Sequence, residues 1–179
     1  MDTPETPLQI NLEDLIIREV VKEDLPALEW GGEFTKYRRM YAGIYRDSLS
    51  DRNKMWVVTL PNSEIIGQAF VMFKSVDWDA ADGENRAYIF AFRIKPPWRN
   101  CGVGSHLMAF IENYLRKRGY KYATLNVAKD NLDALRLYEH LGYKITGSRS
   151  GIWSFRDHEG NLQNVNEPSW RMMKKLSDS

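Results

Sequence analysis

Cysteine occurs once in this 179-residue chain, at Cys101, so no disulfide can close within it and no oxidising compartment is implied. An excess of one charge is equally lacking. Lys and Arg number 25 against 24 Asp and Glu, a formal net charge of +1, too weak a field to gather nucleic acid. No apolar run approaches the ~20 residues of a membrane-crossing helix. Met1-Asp2-Thr3-Pro4-Glu5-Thr6-Pro7 has neither the basic stretch nor the apolar core of a secretory leader. The three histidines, His106, His140 and His158, lack metal-ligand spacing and form no known arrangement with the thiol of Cys101. The expectation is a soluble cytoplasmic protein with no metal, no nucleic-acid partner and no membrane partner. At 43% hydrophobic and 27% charged residues the chain suits one well-packed domain. That domain is expected over 12–179, after a flexible N-terminus over 1–11.

Hydrophobic periodicity orders the elements. A short strand at Leu15–Arg18 leads to a helix opened by Asp24-Leu25-Pro26, and a second helix is expected over 33–49. Met55–Leu60 and Ile65–Phe73 read as a hairpin around Pro61-Asn62-Ser63. A polar loop over 76–85 carries an exposed Trp78, and the nearly unbroken apolar run Ala87–Ile94 reads as a strand buried on both faces. An amphipathic helix over Val103–Arg118, a strand at Tyr122–Val127 and a helix at Asn131–Leu141 follow. Two last strands are expected near Tyr143–Phe155 and Ser169–Leu176, around a turn at 157–161. The expected order is βααββββαβαββ, a mixed sheet with helices on both faces.

The strongest chemical signal is Ile94-Lys95-Pro96-Pro97-Trp98-Arg99-Asn100-Cys101-Gly102-Val103-Gly104, between a strand and a helix. Such a turn leaves first-turn amides unpaired at the positive end of the helix dipole, a ready phosphate site. Glycines at 102 and 104 permit close approach, and Arg99 adds a guanidinium fork. No Lys follows Gly104, which removes a P-loop, and no third glycine completes a dinucleotide fingerprint. What remains, Arg-x-x-Gly-x-Gly after an apolar-x-Pro step, resembles the coenzyme-A loop of the GNAT superfamily of N-acetyltransferases. A second block at the right distance strengthens the resemblance: Val127-x-x-x-Asn131-x-x-Ala134-x-x-Leu137-Tyr138-x-x-x-Gly142-Tyr143. Together the two blocks cover roughly residues 88–145.

The resemblance implies an α/β (α+β) fold, a single domain with a mixed, mostly antiparallel twisted sheet and a splayed central strand pair. It implies transfer of the acetyl group of acetyl-CoA to a primary amine of an unidentified small-molecule or protein acceptor, with a homodimer left open. The pyrophosphate would take amides from Asn100, Cys101, Gly102, Val103, Gly104 and Ser105, beside Arg99. The pantetheine arm would lie along the main chain of Phe92 and Ile94, the amide near Phe92 polarising the thioester carbonyl. Tyr138 matches the tyrosine that approaches the sulfur as general acid, and Asn131 would hold the pantetheine region. Without the resemblance, Tyr138 reads as a packed core tyrosine, Asn131 as a helix N-cap and Arg99 as a surface charge.

A general base is missing from the places where the resemblance would put it. Glutamates known there in related enzymes are replaced by Tyr88 and Asn126. Deprotonation is therefore expected through water positioned by Asn126 or Tyr88, or by Glu33, with Glu29 behind it. Trp30, Glu33, Tyr37 and Arg38, between and on the first two helices, are the candidate acceptor residues; an aromatic and carboxylate rim suits a cationic amine. Two rivals stand beside the transferase: a non-catalytic acyl-CoA sensor on the same fold, and a thiol enzyme using Cys101.

Overall fold

The apolar run at the centre of the sequence also forms the centre of the sheet. In the computed structural model, which describes residues 10–176, β4 (Arg86–Ile94) lies between β3 (Ile65–Met72) and β5 (Tyr122–Ala128). Outward from β3 come β2 (Asn53–Thr59) and β1 (Ile16–Glu19); beyond β5 come β9 (Ser169–Lys175) and β6 (Lys144–Arg149). Only β4 and β5 run parallel; the other neighbours in this seven-stranded sheet are antiparallel. The mixed, mostly antiparallel architecture read from the sequence is the one found.

Alternation along the strands divides the core in two. Trp56 and Val58 of β2 face one way, against α2 (Val103–Lys117) and α3 (Leu132–His140), with Leu107, Met108, Ile111, Leu115 and Tyr138 buried among them. Met55 and Val57 face the other way, against Tyr41 of α1 (Arg38–Ser48) and Leu28. Helices therefore cover both faces, as expected. Within the first core, Glu112 of α2 is buried: Lys174 Nζ donates to its Oε1 at 2.6 Å and Tyr143 Oη to its Oε2 at 3.2 Å.

β4 carries the irregularity that matters most. Phe90 pairs with Phe70 and Arg93 with Gln68, so two residues of β4, Ala91 and Phe92, oppose the single Ala69. Ala91 takes φ +50°, the left-handed region, and Gln68 Nε2 donates to its carbonyl at 3.3 Å. One extra residue in a strand moves every later side chain to the other face. Phe92 thereby joins the α2–α3 side, while Arg93 stays with Phe90 on the α1 side.

Several expectations need correction. Lys22–Gly32 is a 3₁₀ segment, and Trp30 (φ +49°) and Gly31 (φ +70°) bend its end. The second helix consequently starts at Arg38, after a 3₁₀ turn at Thr35–Tyr37, rather than at residue 33. Three strands, not four, lie between α1 and α2. The segment expected as one strand over Tyr143–Phe155 breaks at Gly151 (φ +64°). β6 completes the main sheet, whereas β7 (Ile152–Arg156) pairs with the unexpected β8 (Leu162–Asn166) as a separate hairpin. Of the N-terminal stretch, 1–9 lies outside the described residues; Ile10 packs on the core and Asn11 caps the turn Leu12–Asp14. Among the described residues no helix is long and apolar enough to cross a membrane.

Three arginine–aspartate pairs pin loops, two to the sheet and one to the end of α2: Arg18–Asp24 and Arg171–Asp77, each bonded at 2.7–2.9 Å, and Arg118–Asp51, with Nη2 and Oδ2 2.6 Å apart. In each the guanidinium hydrogen bond holds the carboxyl below the usual aspartate range. A lowered folded pKa stabilises above the unfolded value and ceases to as pH falls through the folded one. The thermal midpoint should then be insensitive to these groups at neutral pH and drop below roughly pH 4, where they take up protons. Melts across pH 2–7 would detect this; a flat midpoint down to pH 2 would show that the three pairs do not stabilise the fold.

Candidate active site

β4 and β5 part company in mid-sheet. Their parallel pairing runs from Arg86 with Tyr122 to Ile89 with Leu125 and stops there, although both strands continue. Beyond it opens a groove of about 710 Å³. Its walls include Phe92, Arg93 and Ile94 on one side and Asn126, Val127 and Ala128 on the other. Lys95 N–H donates to the Ile66 carbonyl at 2.8 Å, so the antiparallel alternation turns the main chain of Arg93 and Lys95 toward β3. The main-chain groups of Phe92 and Ile94 then face the gap. Arg99 Nε donates to the Ile94 carbonyl at 2.8 Å, which anchors the exposed Arg99 at the groove's edge.

The glycine loop closes the far end. Asn100 (φ +60°) and Gly102 (φ +89°) are both left-handed, and Gly102 is the N-cap of α2, its carbonyl accepting from His106 N–H at 2.9 Å. The amides of Val103, Gly104 and Ser105 belong to the first helical turn and have no acceptor among the described residues. At Gly104 a Cβ would meet Phe92 Cζ at 3.3 Å, so its bareness also lets the helix seat on the strand. Asn100, Gly102, Gly104 and Ser105 line the groove; Cys101 and Val103 do not. Cys101 is half-buried, its Sγ 3.0 Å from the Trp98 carbonyl.

Tyr138 borders the same groove, 8% exposed, edge-on to Phe92 and Tyr143 at 6.1 Å each. Burial raises its phenol pKa well above the ordinary value, and its hydroxyl has no hydrogen-bond partner among the described residues. Asn131 is the N-cap of α3, its Oδ1 accepting from Ala134 N–H at 3.2 Å, and it also lines the groove.

The residues considered for proton removal are scattered. Asn126 Oδ1 accepts from Arg171 Nε at 2.6 Å, and Arg171 is held in turn by Asp77 at 2.8 Å. Arginine only donates, so the Asn126 amide must turn its NH₂ away from Arg171, and it cannot serve as a base. Tyr88 stacks on Phe90 at 5.7 Å outside the groove lining, and burial raises its pKa. Glu33 is exposed and does not line the groove. Glu29 is engaged by Arg38 through two bonds of 2.9 Å, which lower its pKa and occupy Arg38.

Trp30 packs edge-on to Phe34 at 5.0 Å, and Phe34 stacks on Tyr37 at 6.2 Å. Tyr37 reaches Phe155 of β7 at 5.0 Å, so the hairpin roofs this aromatic side. Three charged wall residues escaped sequence reasoning: Arg93, Asp133 and Glu167. Arg93 carried a signal, a charge within an apolar strand, but its direction depends on the bulge. Glu167 reaches the groove only because the turn before β9 folds back over β5, which no local pattern announces.

Among known proteins, a family model described as the acetyltransferase (GNAT) family matches residues 17–143. A mycothiol acetyltransferase of Brachybacterium faecium is 33% identical over 91 residues, 51% of this chain and 26% of that protein. The chain spans less than half the length of the curated relatives it matches. Among solved structures, Ard1 from Thermoplasma volcanium has a TM-score of 0.70 at 20% identity, covering 92% of this chain and 99% of that one. Spermidine N-acetyltransferase from Vibrio cholerae, solved with CoA and spermine, has a TM-score of 0.65 at 18% identity over 92% and 96%. These folds share the sheet, and the family match runs from β1 past the glycine loop to Tyr143: the chain belongs to the acetyltransferase (GNAT) family.

Proposed function

We propose that this chain is a single-domain N-acetyltransferase that moves an acetyl group from acetyl-CoA to a primary amine. The observation that carries the reading is the gap between β4 and β5, faced by main chain of Phe92 and Ile94 that β5 leaves unpaired. The residues present fit the coenzyme. A peptide-like arm can add to the exposed strand edge, and a pyrophosphate can take the free first-turn amides of α2 beside Arg99. Once bound, acetyl-CoA supplies an acyl group activated as a thioester.

The chain's own groups would then do four things. The Phe92 amide donates to the carbonyl oxygen as charge builds on it, an interaction worth about 3 kcal/mol when lost. Tyr138 stays protonated, because burial disfavours its phenolate, and offers its hydrogen to the departing sulfur. Asn126, fixed by Arg171, presents N–H donors on the β5 wall. Of the two carboxylates on the groove wall, Asp133 faces Arg136 at 3.5 Å, whereas Glu167 has no ion-pair partner among the described residues. Glu167 is the group we assign to take the acceptor's proton, directly or through water.

Acetyl-CoA-dependent thiol release, measured against polyamines, aminoglycosides, amino acids and short peptides, tests the reading. Glu167→Gln should lose about 10²-fold in rate while still binding acetyl-CoA. Coenzyme binding without transfer to any amine would favour the sensor reading, and an unchanged rate in the variant would remove Glu167.

A further inference from the structure

The aromatic rim expected to receive a cationic amine already holds a cation. Arg93 lies with its guanidinium 4.3 Å from the Phe34 ring centroid and 5.6 Å from that of Tyr37. Its Nη1 donates to the Tyr41 hydroxyl at 2.8 Å. The bulge at Ala91 puts it there by keeping Arg93 on the α1 face. The carboxylates that could have drawn a polycation to this side are spent or remote, since Glu29 is closed onto Arg38 and Glu33 does not line the groove. No carboxylate pairs with Arg93 among the described residues, although it lines the groove.

A guanidinium stacked on an aromatic face keeps its edge open, and that edge matches a carboxylate. Among the described residues only one of its five N–H donors is used, by a neutral hydroxyl, and no counter-ion meets this half-buried positive charge on the groove wall. Glu167 stands across the opening, beyond β5. Opposite charges on opposite walls suit an acceptor that carries opposite charges itself.

We infer that the acceptor is an amine bearing a carboxylate, an amino-acid-like molecule whose carboxylate is held by Arg93 while its amine faces the β5 wall. This rests on the acetyl-transfer reading above. It also separates this chain from the spermidine enzyme that shares its fold, because a polyamine would place like charge against Arg93.

The test uses matched acceptors: amino acids and dipeptides, each beside its C-terminal amide, with spermidine as the polycation. Wild type should favour the carboxylate member by at least about tenfold in kcat/KM, the size expected of a charge-assisted bidentate contact. Arg93→Gln should bring that ratio close to one without changing acetyl-CoA affinity, and Arg93→Lys should restore only part of it. The wild-type ratio decides even if a variant proves unstable. Amides or spermidine favoured over carboxylates would overturn the inference and leave acetyl transfer standing. So would turnover of no carboxylate acceptor by protein that binds the coenzyme. Failure to bind acetyl-CoA at all would instead remove the transfer reading, and this inference with it.

Discussion

Replacing Tyr138 with phenylalanine should lower acetyl transfer at least about tenfold while acetyl-CoA affinity stays nearly unchanged. The two effects separate because the ring and the hydroxyl do different work. The ring fills the space between Phe92 and Tyr143 and is 8% exposed; phenylalanine keeps that packing. The hydroxyl makes no hydrogen bond that holds the fold together, so its loss should cost less than about 0.5 kcal/mol of stability. Steady-state rates with coenzyme titrations give both numbers. Because burial raises the phenol's pKa, the acid form persists past its ordinary value near 10, and wild-type rates should show no limb from Tyr138 at neutral pH. Unaffected turnover in the variant would take Tyr138 out of the chemistry.

The largest loss of stability is expected from Glu112→Ala. Glu112 is 4% exposed and accepts from Lys174 and from Tyr143, which is 1% exposed. Removing the carboxylate strands a mostly covered ammonium and an enclosed hydroxyl together, a change that typically costs about 3–5 kcal/mol. Glu112→Gln, which keeps an acceptor but not the charge, should fall between the variant and wild type. Urea unfolding at neutral pH would measure all three. A loss under about 1 kcal/mol would mean that Lys174 swings out to water and that the pair is in effect a surface one. Tyr143 also packs edge-on to Tyr138, so the alanine variant should lose activity before it loses its fold.

Much of this architecture was legible because it follows from local periodicity. The run Ala87–Ile94, the glycine turn and the amphipathic helix after it announce themselves within about twenty residues, and the Asn131 cap was readable as a cap. What stayed hidden depends on geometry that no neighbouring residue encodes. Ala91 in Phe90-Ala91-Phe92 looks like any strand alanine, yet its left-handed φ decides which way Phe92 and Arg93 point. Trp30 likewise ends its segment in a conformation more usual for glycine, delaying α1 to Arg38. Asp77 and Arg171 orient Asn126 from 94 positions apart in sequence, beyond the reach of any window. The acceptor rim was read by residue type alone, and the partner of each charge was needed before its meaning could be judged.

The early parting of β4 from β5 leaves the sheet with a rim strand at its centre. Rim strands are templates on which a second polypeptide can pair, and soluble proteins blunt them with bulges, inserted charges and prolines. β4 carries all three just where its partner leaves it: the bulge at Ala91, the charge of Arg93 and the Pro96-Pro97 step. These features work against an intruding strand zipping along the opening, yet main-chain groups near Phe92 still face it. On the proposed reading the slot would discriminate by length, disfavouring another chain's β-strand while leaving room for a ligand that needs only one or two hydrogen bonds.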